Sequence, residues 1–382
     1  MPLALLFVAG LFLAWSNGAN DNVKGVATLV GGGTLGRRAA LLLGTGATLL
    51  GSFAAVLLSG RLLAAFSGKG IVPDALVGAP TFLFATGLGA ALVVSFATWR
   101  GLPVSTTHAL VGGLSGAGLA AAGASGISWS HLGVVFALPL LLSPLAAALL
   151  VMLAGPSLTR LGARLSLRSD SCLCVGEAAQ LVPVPVAAAR SDAVLLGTAD
   201  FAGHAAPARI IARFGDAASC PVHPPARGVR VTLASALTAL HVLSAIAVSF
   251  ARGLNDTPKI AAILLTAGSL GPGGAMAAVG GGMAVGALLA AARVGRTMSD
   301  DITRMSPAQG LVANLSTSAL VLGASRLGMP VSTTHVSVGS LFGLGRMNGG
   351  LVRATMRRIL LAWVVTLPAA FGAAWVLHRL VG

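Results

Sequence analysis

Long apolar runs, separated by short polar stretches, set the rhythm of the chain. They lie near residues 2–16, 40–59, 76–99, 103–122, 132–155, 231–251, 257–270, 275–292, 307–325, 330–345 and 359–378. A helix needs about 20 apolar residues to cross the hydrocarbon layer of a bilayer, so these runs predict membrane helices. Several are short or carry polar residues inside them. That predicts broken helices among about ten to twelve membrane segments in an all-α polytopic membrane fold. The first run starts at Leu3 without a basic n-region or a small-residue cleavage site, and reads as a retained span. From about 156 to 230 the rhythm fails. This stretch holds eight arginines, four aspartates and the only glutamate, Glu177. It predicts a hydrophilic insert between a first membrane repeat (1–155) and a second (231–382), and its basic excess favours the cytoplasm.

Composition agrees with the pattern. Hydrophobic residues make up 55% of the 382 and charged residues only 9%, against about 25% in an ordinary soluble domain. One soluble core of this length could not hide that much apolar surface. The 51 glycines suit membrane helices, which use small residues to approach closely. The formal charge of +15 raises the question of nucleic acid. Its arginines, however, stand in ones and twos at segment ends: Arg37, Arg38, Arg61, Arg100, Arg293, Arg296, Arg357 and Arg358. That is the pattern of loops facing anionic lipid. With no tyrosine and few other aromatics, the chain is not expected to build a base-stacking surface, and membrane lipid is the expected partner.

Two polar motifs recur in the same order in both halves. Asn20-Asp21-Asn22-Val23-Lys24 returns 235 residues later as Asn255-Asp256-Thr257-Pro258-Lys259. Gly101-Leu102-Pro103-Val104-Ser105-Thr106-Thr107-His108 returns 227 residues later as Gly328-Met329-Pro330-Val331-Ser332-Thr333-Thr334-His335. Paired interruptions of this kind point to a transporter's binding site. The acidic residues sharpen the point. Of ten, Asp74, Asp300 and Asp301 fall in loops and five in the insert, which leaves Asp21 and Asp256 inside apolar segments as repeat partners. A charge at the bilayer centre costs about 2.5–3.5 kcal/mol, so a chain that keeps two at equivalent places uses them.

Of the three lysines, Lys24 and Lys259 each follow their aspartate by three residues. On a helix that spacing lets the side chains form an ion pair. Asn20 and Asn255 add amide oxygens beside each carboxylate, a set that suits a hard coupling cation such as sodium. Pro103 and Pro330 predict helix starts within the membrane. Free first-turn N–H groups, joined by the hydroxyls of Ser105, Thr106, Thr107, Ser332, Thr333 and Thr334, would make a site for a tetrahedral oxyanion. The alternative is that these hydroxyls only cap helices or bond back to the preceding turn. His108 and His335 close the two motifs as packing residues or proton carriers. Gly112, Gly116, Gly339 and Gly343 read as close-packing positions. In the insert, Cys172, Cys174, Cys220 and His223 could hold a structural zinc ion, or be ordinary reduced thiols with a neighbouring histidine.

At these residues the chain resembles the inorganic phosphate transporter (PiT) family. The resemblance rests on Gly18-Ala19-Asn20-Asp21, Gly253-Leu254-Asn255-Asp256 and the two Pro-Val-Ser-Thr-Thr-His blocks, and covers both membrane halves. It implies inverted-topology repeats, phosphate uptake by symport and sodium or protons as the coupling ion, with no other cofactor. It also implies that Asn20, Asp21, Asn255 and Asp256, with both Ser-Thr-Thr triplets, line the route. Where many members carry a glutamate in each half, this chain has Thr48 and Asn314, and Lys24 stands where a small or polar residue is usual. The expected setting is the cell's inner membrane, with inorganic phosphate as partner and homo-oligomerisation open. The competing readings are a sulfate or related oxyanion permease of the same fold, a membrane enzyme acting on phosphoesters, and a channel. No nucleophile–base–acid trio is evident for the enzyme, and paired broken helices suit alternating access better than a continuous pore.

Overall fold

A computed structural model describes residues 2–58, 60–168, 170–178, 209–215, 228–266 and 270–382. Ten helices of sixteen or more residues occur among the described residues. They are α1 (Leu3–Asp21), α2 (Arg37–Leu58), α3 (Pro80–Trp99), α4 (Thr106–Ala122), α5 (Leu138–Arg164), α6 (Leu233–Thr266), α7 (Pro272–Ala290), α8 (Pro307–Leu327), α9 (Thr333–Asn348) and α10 (Arg353–Val381). Among the described residues, seven stretches are long and apolar enough to cross a membrane: Leu3–Gly25, Arg37–Leu58, Pro80–Trp99, Trp129–Arg164, Leu233–Leu265, Pro272–Ala290 and Arg353–Val381. Their outward faces carry exposed leucines and valines such as Leu57, Leu145, Leu289 and Val364. An apolar surface that extensive belongs against lipid.

Local chemistry explains many of the ends. Pro80, Pro272 and Pro307 open α3, α7 and α8, where a missing N–H costs nothing. Ser306 and Gln309 form a reciprocal capping box at the start of α8. Gly328 and Gly349 close α8 and α9 in the left-handed conformation, which glycine adopts without strain.

Three expectations need correction. The runs 231–251 and 257–270 are not separate segments, because α6 continues through Pro258 for 34 residues. A proline removes one hydrogen bond and kinks a membrane helix, but packing by neighbours keeps the helix going. Pro103 and Pro330 do not open helices either. The helices begin at Thr106 and Thr333, and Ser105 and Ser332 are the caps, each accepting from the N–H three residues on. Finally, the all-α description fails for the insert. Strands β1 (Cys172–Ala178), β2 (Arg209–Gly215) and β3 (Gly228–Thr232) form an antiparallel sheet in the order β2-β1-β3. Cys172 pairs with Gly215 on one side and with Thr232 on the other. Short alternating stretches such as Val229-Arg230-Val231-Thr232 favour extended backbone. The chain divides into two compact units, Met1–Thr159 with Thr238–Gly382, and Arg160–Leu237.

Within the larger unit the halves pack reciprocally through glycine. A Cβ on Gly18 of α1 would land on the backbone of Met283 in α7, and one on Gly253 of α6 would land on the backbone of Thr48 in α2. Gly286 meets Trp15 in the same way, and Gly51 meets Phe250. Each member of these pairs sits 235 residues from its counterpart. The second motif repeats the arrangement. Gly112 and Gly116 of α4 lie on the backbone at Leu367 and Phe371 of α10, while Gly339 and Gly343 of α9 lie on Pro144 and Ala148 of α5. Each half therefore buries its motif helix against the last helix of the other half. This exchange is compatible with an inverted pair.

Candidate functional site

Both copies of the first motif are buried. Asn20, Asp21, Lys24, Asn255, Asp256 and Lys259 are at most 3% exposed. In the first half, α1 ends at Asp21 and four residues of 3-10 helix follow, Asn22–Gly25. In that geometry residues three apart eclipse one another, and Lys24 forms an ion pair with Asp21. Its ammonium also donates to Asn20 Oδ1 at 3.1 Å and to the Val104 carbonyl at 3.0 Å. In the second half, on continuous α6, Lys259 donates to Asp256 Oδ1 at 3.2 Å and to the Val331 carbonyl at 2.8 Å.

The second motif supplies the rest, and it crosses between halves. Lys24 donates to Thr334 Oγ1 at 2.5 Å, and Lys259 donates to Thr107 Oγ1 at 3.0 Å. The same hydroxyls donate onward: Thr334 to the Val104 carbonyl at 2.7 Å, Thr107 to the Val331 carbonyl at 3.4 Å. Thr106 and Thr333 stay in their own halves and donate to Asp21 Oδ2 and Asp256 Oδ2, each at 3.3 Å. Ser105 and Ser332 are occupied as caps to the N–H groups of His108 and His335. The structure thus brings the two aspartates, two lysines and four threonines into one network. It assigns the serines the capping role.

Asn17 and Arg252, which lie outside the motifs, also belong to this network. Asn17, one turn ahead of Asp21, reaches Thr106 Oγ1 at 3.0 Å, Asp21 Oδ2 at 3.2 Å and Asp256 Oδ2 at 3.5 Å. Arg252 stands 235 residues later, at the equivalent place in α6. It is 1% exposed. Its guanidinium donates to Asn17 Oδ1 at 2.7 Å and to Asn22 Oδ1 and Thr48 Oγ1 at 3.0 Å each, and its Nε lies 3.8 Å from Asp256 Oδ2. Asn17 and Arg252, repeat partners, bind each other at the junction of the halves. The signal was present in the sequence. Arg252 stands four residues before Asp256, so a charge there meets the same insertion cost as the aspartates, but its repeat partner Asn17 is neutral. With these groups ionised, three buried cations face two buried carboxylates and one positive charge remains.

The histidines stand apart from that network. The ring centroids of His108 and His335 lie 4.4 Å apart with the rings tilted by 55°, and those of His335 and Trp363 lie 3.9 Å apart with a tilt of 40°. His335 Nδ1 pairs with the Leu140 carbonyl at 3.1 Å. His108 Nδ1 and His335 Nε2 have no partner among the described residues. Thr48 lies in the Asn22–Arg252 cluster, and Asn314 joins Thr28 and Ser244 instead. Of the candidate zinc ligands, Cys172 is buried on β1. Cys220, His223 and the side chain of Cys174 lie outside the described residues. No group of three metal-ligating side chains occurs among the described residues.

A family model described as the phosphate transporter family matches residues 17–374, which span both motif pairs and the whole network. The chain belongs to the phosphate transporter family. Among its relatives is the Arabidopsis thaliana inorganic phosphate transporter 2-1, chloroplastic, 30% identical over 95% of this chain and 69% of its own. Another is a Pyrococcus furiosus protein named as a phosphate permease, 27% identical over 99% of this chain and 95% of its own. A solved structure named the sodium-dependent phosphate transporter shares the fold. Its TM-score is 0.73 at 20% identity, over 99% of this chain and 98% of that one. The protein is therefore a multi-pass membrane protein of a transporter family, and the phosphoester-enzyme reading is set aside.

Proposed function

We propose that the chain is a secondary active transporter of inorganic phosphate that works by alternating access in the inner membrane. The observation that carries this reading is the buried network of Asp21, Lys24, Arg252, Asp256 and Lys259, whose formal charges leave one positive charge over. A buried cluster of that sign needs an anion. The starts of α4 and α9 bring four threonine hydroxyls against the two aspartate–lysine pairs, and helix starts of this kind suit an oxyanion. Asp21 and Asp256 accept the hydrogen bond of a protonated phosphate oxygen. The glycine-lined contacts between halves let the two repeats rock as units around the site. An inward gradient of sodium or protons supplies the work, and His108 and His335 are the titratable pair available to a proton route. The names of the relatives, phosphate transporters and permeases, agree with this cargo.

Sulfate is the second reading. The same three cations favour it, because it brings two full negative charges. It has no proton at neutral pH for the aspartates to accept, which favours phosphate.

The test is labelled phosphate uptake into proteoliposomes under an imposed sodium or proton gradient, with excess sulfate as competitor. Uptake that ignores sulfate and is lost in Asp21→Asn and Asp256→Asn, with both variants still in the membrane, is the expected result. Accumulation of sulfate in place of phosphate would keep the site and change the cargo. Full transport by both variants would remove the carboxylates from the mechanism.

A further inference from the structure

The surroundings of the two buried ammonium groups are built from oxygen. Around Lys24 Nζ stand a carboxylate oxygen of Asp21, the amide oxygen of Asn20 at 3.1 Å, the Val104 carbonyl at 3.0 Å and the Thr334 hydroxyl at 2.5 Å. An ammonium has three N–H groups, so four oxygens exceed what its hydrogen bonds require. Around Lys259 Nζ stand Asp256 Oδ1 at 3.2 Å, the Val331 carbonyl at 2.8 Å and the Thr107 hydroxyl at 3.0 Å, with the Phe66 ring centroid 5.7 Å away. Each threonine gives its own hydrogen to the valine carbonyl and so turns a lone pair toward the lysine. Carboxylate, carbonyl and hydroxyl oxygens in this combination are the ligand set of a hard cation. Both cages draw oxygens from both halves, and both are filled by a side chain of the chain itself.

We propose that Lys24 and Lys259 are tethered cations occupying two sites built for a free inorganic cation, so that this chain binds no sodium there and transports without it. A lysine ammonium is a compact point charge on a flexible stem, and nothing else can share its cage. The transport clause rests on the reading above, but the site itself does not. The coupling role expected of Asn20, Asp21, Asn255 and Asp256 then becomes the holding of fixed charges that offset the cargo. The solved neighbour named for sodium dependence shares the fold without sharing this feature of necessity, since its identity to this chain is only 20%.

Purified protein in detergent, free of phosphate, separates the possibilities. Equilibrium binding of ²²Na⁺ and the thermal unfolding midpoint in sodium chloride or choline chloride are measured for three forms. The unaltered protein is expected to show no saturable sodium binding and the same midpoint in both salts. Lys24→Ala with Lys259→Ala opens both cages. It should bind ²²Na⁺ saturably, about tenfold above the non-saturable background of the unaltered protein, and sodium should raise its midpoint by preferential binding to the folded state. Lys24→Met with Lys259→Met fills the cages without charge and should show neither effect. Saturable ²²Na⁺ binding by the unaltered protein would overturn the proposal even if the alanine form does not fold. So would a folded alanine form that ignores sodium. In proteoliposomes, oxyanion uptake by the unaltered protein should survive replacement of sodium by choline, and its collapse would overturn the proposal. Absence of any oxyanion uptake in either salt would count against the transport reading alone, because the sodium measurements need no cargo.

Discussion

In the first half of the molecule the chain leaves its helix at Asp21, passes through four residues of 3-10 geometry and resumes at Ala27. In the second half the matching stretch runs through the middle of a 34-residue helix, although it contains Pro258 and the first copy contains no proline. The two backbones differ, yet the chemistry converges. Each aspartate meets the lysine three residues on, and each lysine reaches the valine carbonyl of its own half and a threonine of the other. The carboxylate–lysine unit is therefore held by what it bonds to, not by the helix that carries it. The halves differ in charge as well. Asp21 pairs with one cation, while Asp256 lies beside Lys259 and Arg252. Arg252 occupies the place that Asn17 has in the first half.

That asymmetry can be broken in order of expected effect. Asp256→Asn leaves two buried cations facing one fewer carboxylate. It should cost about 3–5 kcal/mol, the range for breaking a buried ion pair. Asp21→Asn uncovers a single cation and should cost less. Unfolding midpoints in detergent rank them, and equal losses would mean that Arg252 does not depend on Asp256. Exchanging the unequal pair comes next. Asn17→Arg adds a fourth buried cation, and Arg252→Asn strips donors from Asn17, Asn22 and Thr48. The double exchange restores one arginine facing one asparagine. It should be more stable than the sum of the single losses predicts, by about 0.5–3 kcal/mol. Recovery should be partial, because the counterparts of Asn22 and Thr48 are Thr257 and Met283, which supply fewer acceptors. Strict additivity would show that the halves are not interchangeable at this point.

Smaller effects test the symmetry itself. Gly18→Ala and Gly253→Ala each push a methyl group onto the backbone of a facing helix. Each should cost about 1–3 kcal/mol, with similar values in the two halves. A large difference would show that one of the two contacts yields. Ser105→Ala and Ser332→Ala each remove a helix cap and should cost about 1 kcal/mol, equally, since the cap geometries match. A far larger loss of transport than of stability in either would return these serines to the cargo site.

Much of this was legible in the chain because charges cannot hide in apolar runs. Asp21, Asp256, Lys24 and Lys259 announce themselves against their neighbours, and the second copy of each motif removes the chance reading of the first. Arg252 was legible by the same reasoning, but its counterpart in the first half is the neutral Asn17, so the repeat did not single it out. The partition of the Ser-Thr-Thr triplets was not legible. Three adjacent hydroxyls look alike in sequence, and only the helix start at the second residue makes the first a cap, the second a partner of its own aspartate and the third a bridge to the other half. Nor was the sheet in the insert, since short strands gain their stability from the partners they pair with.

The sequence by itself determined that this is a membrane protein of two repeats, and which charged residues lie buried at equivalent places. Hydrophobic length and the cost of burying charge are properties of the chain alone, and they hold before any packing is known. The tertiary structure alone decided which lysine meets which threonine, that Asn17 and Arg252 join the halves, and that each buried ammonium fills an oxygen cage drawn from both. Those facts depend on residues hundreds of positions apart coming within hydrogen-bond distance, and a bond between residues so far apart leaves no trace in their spacing.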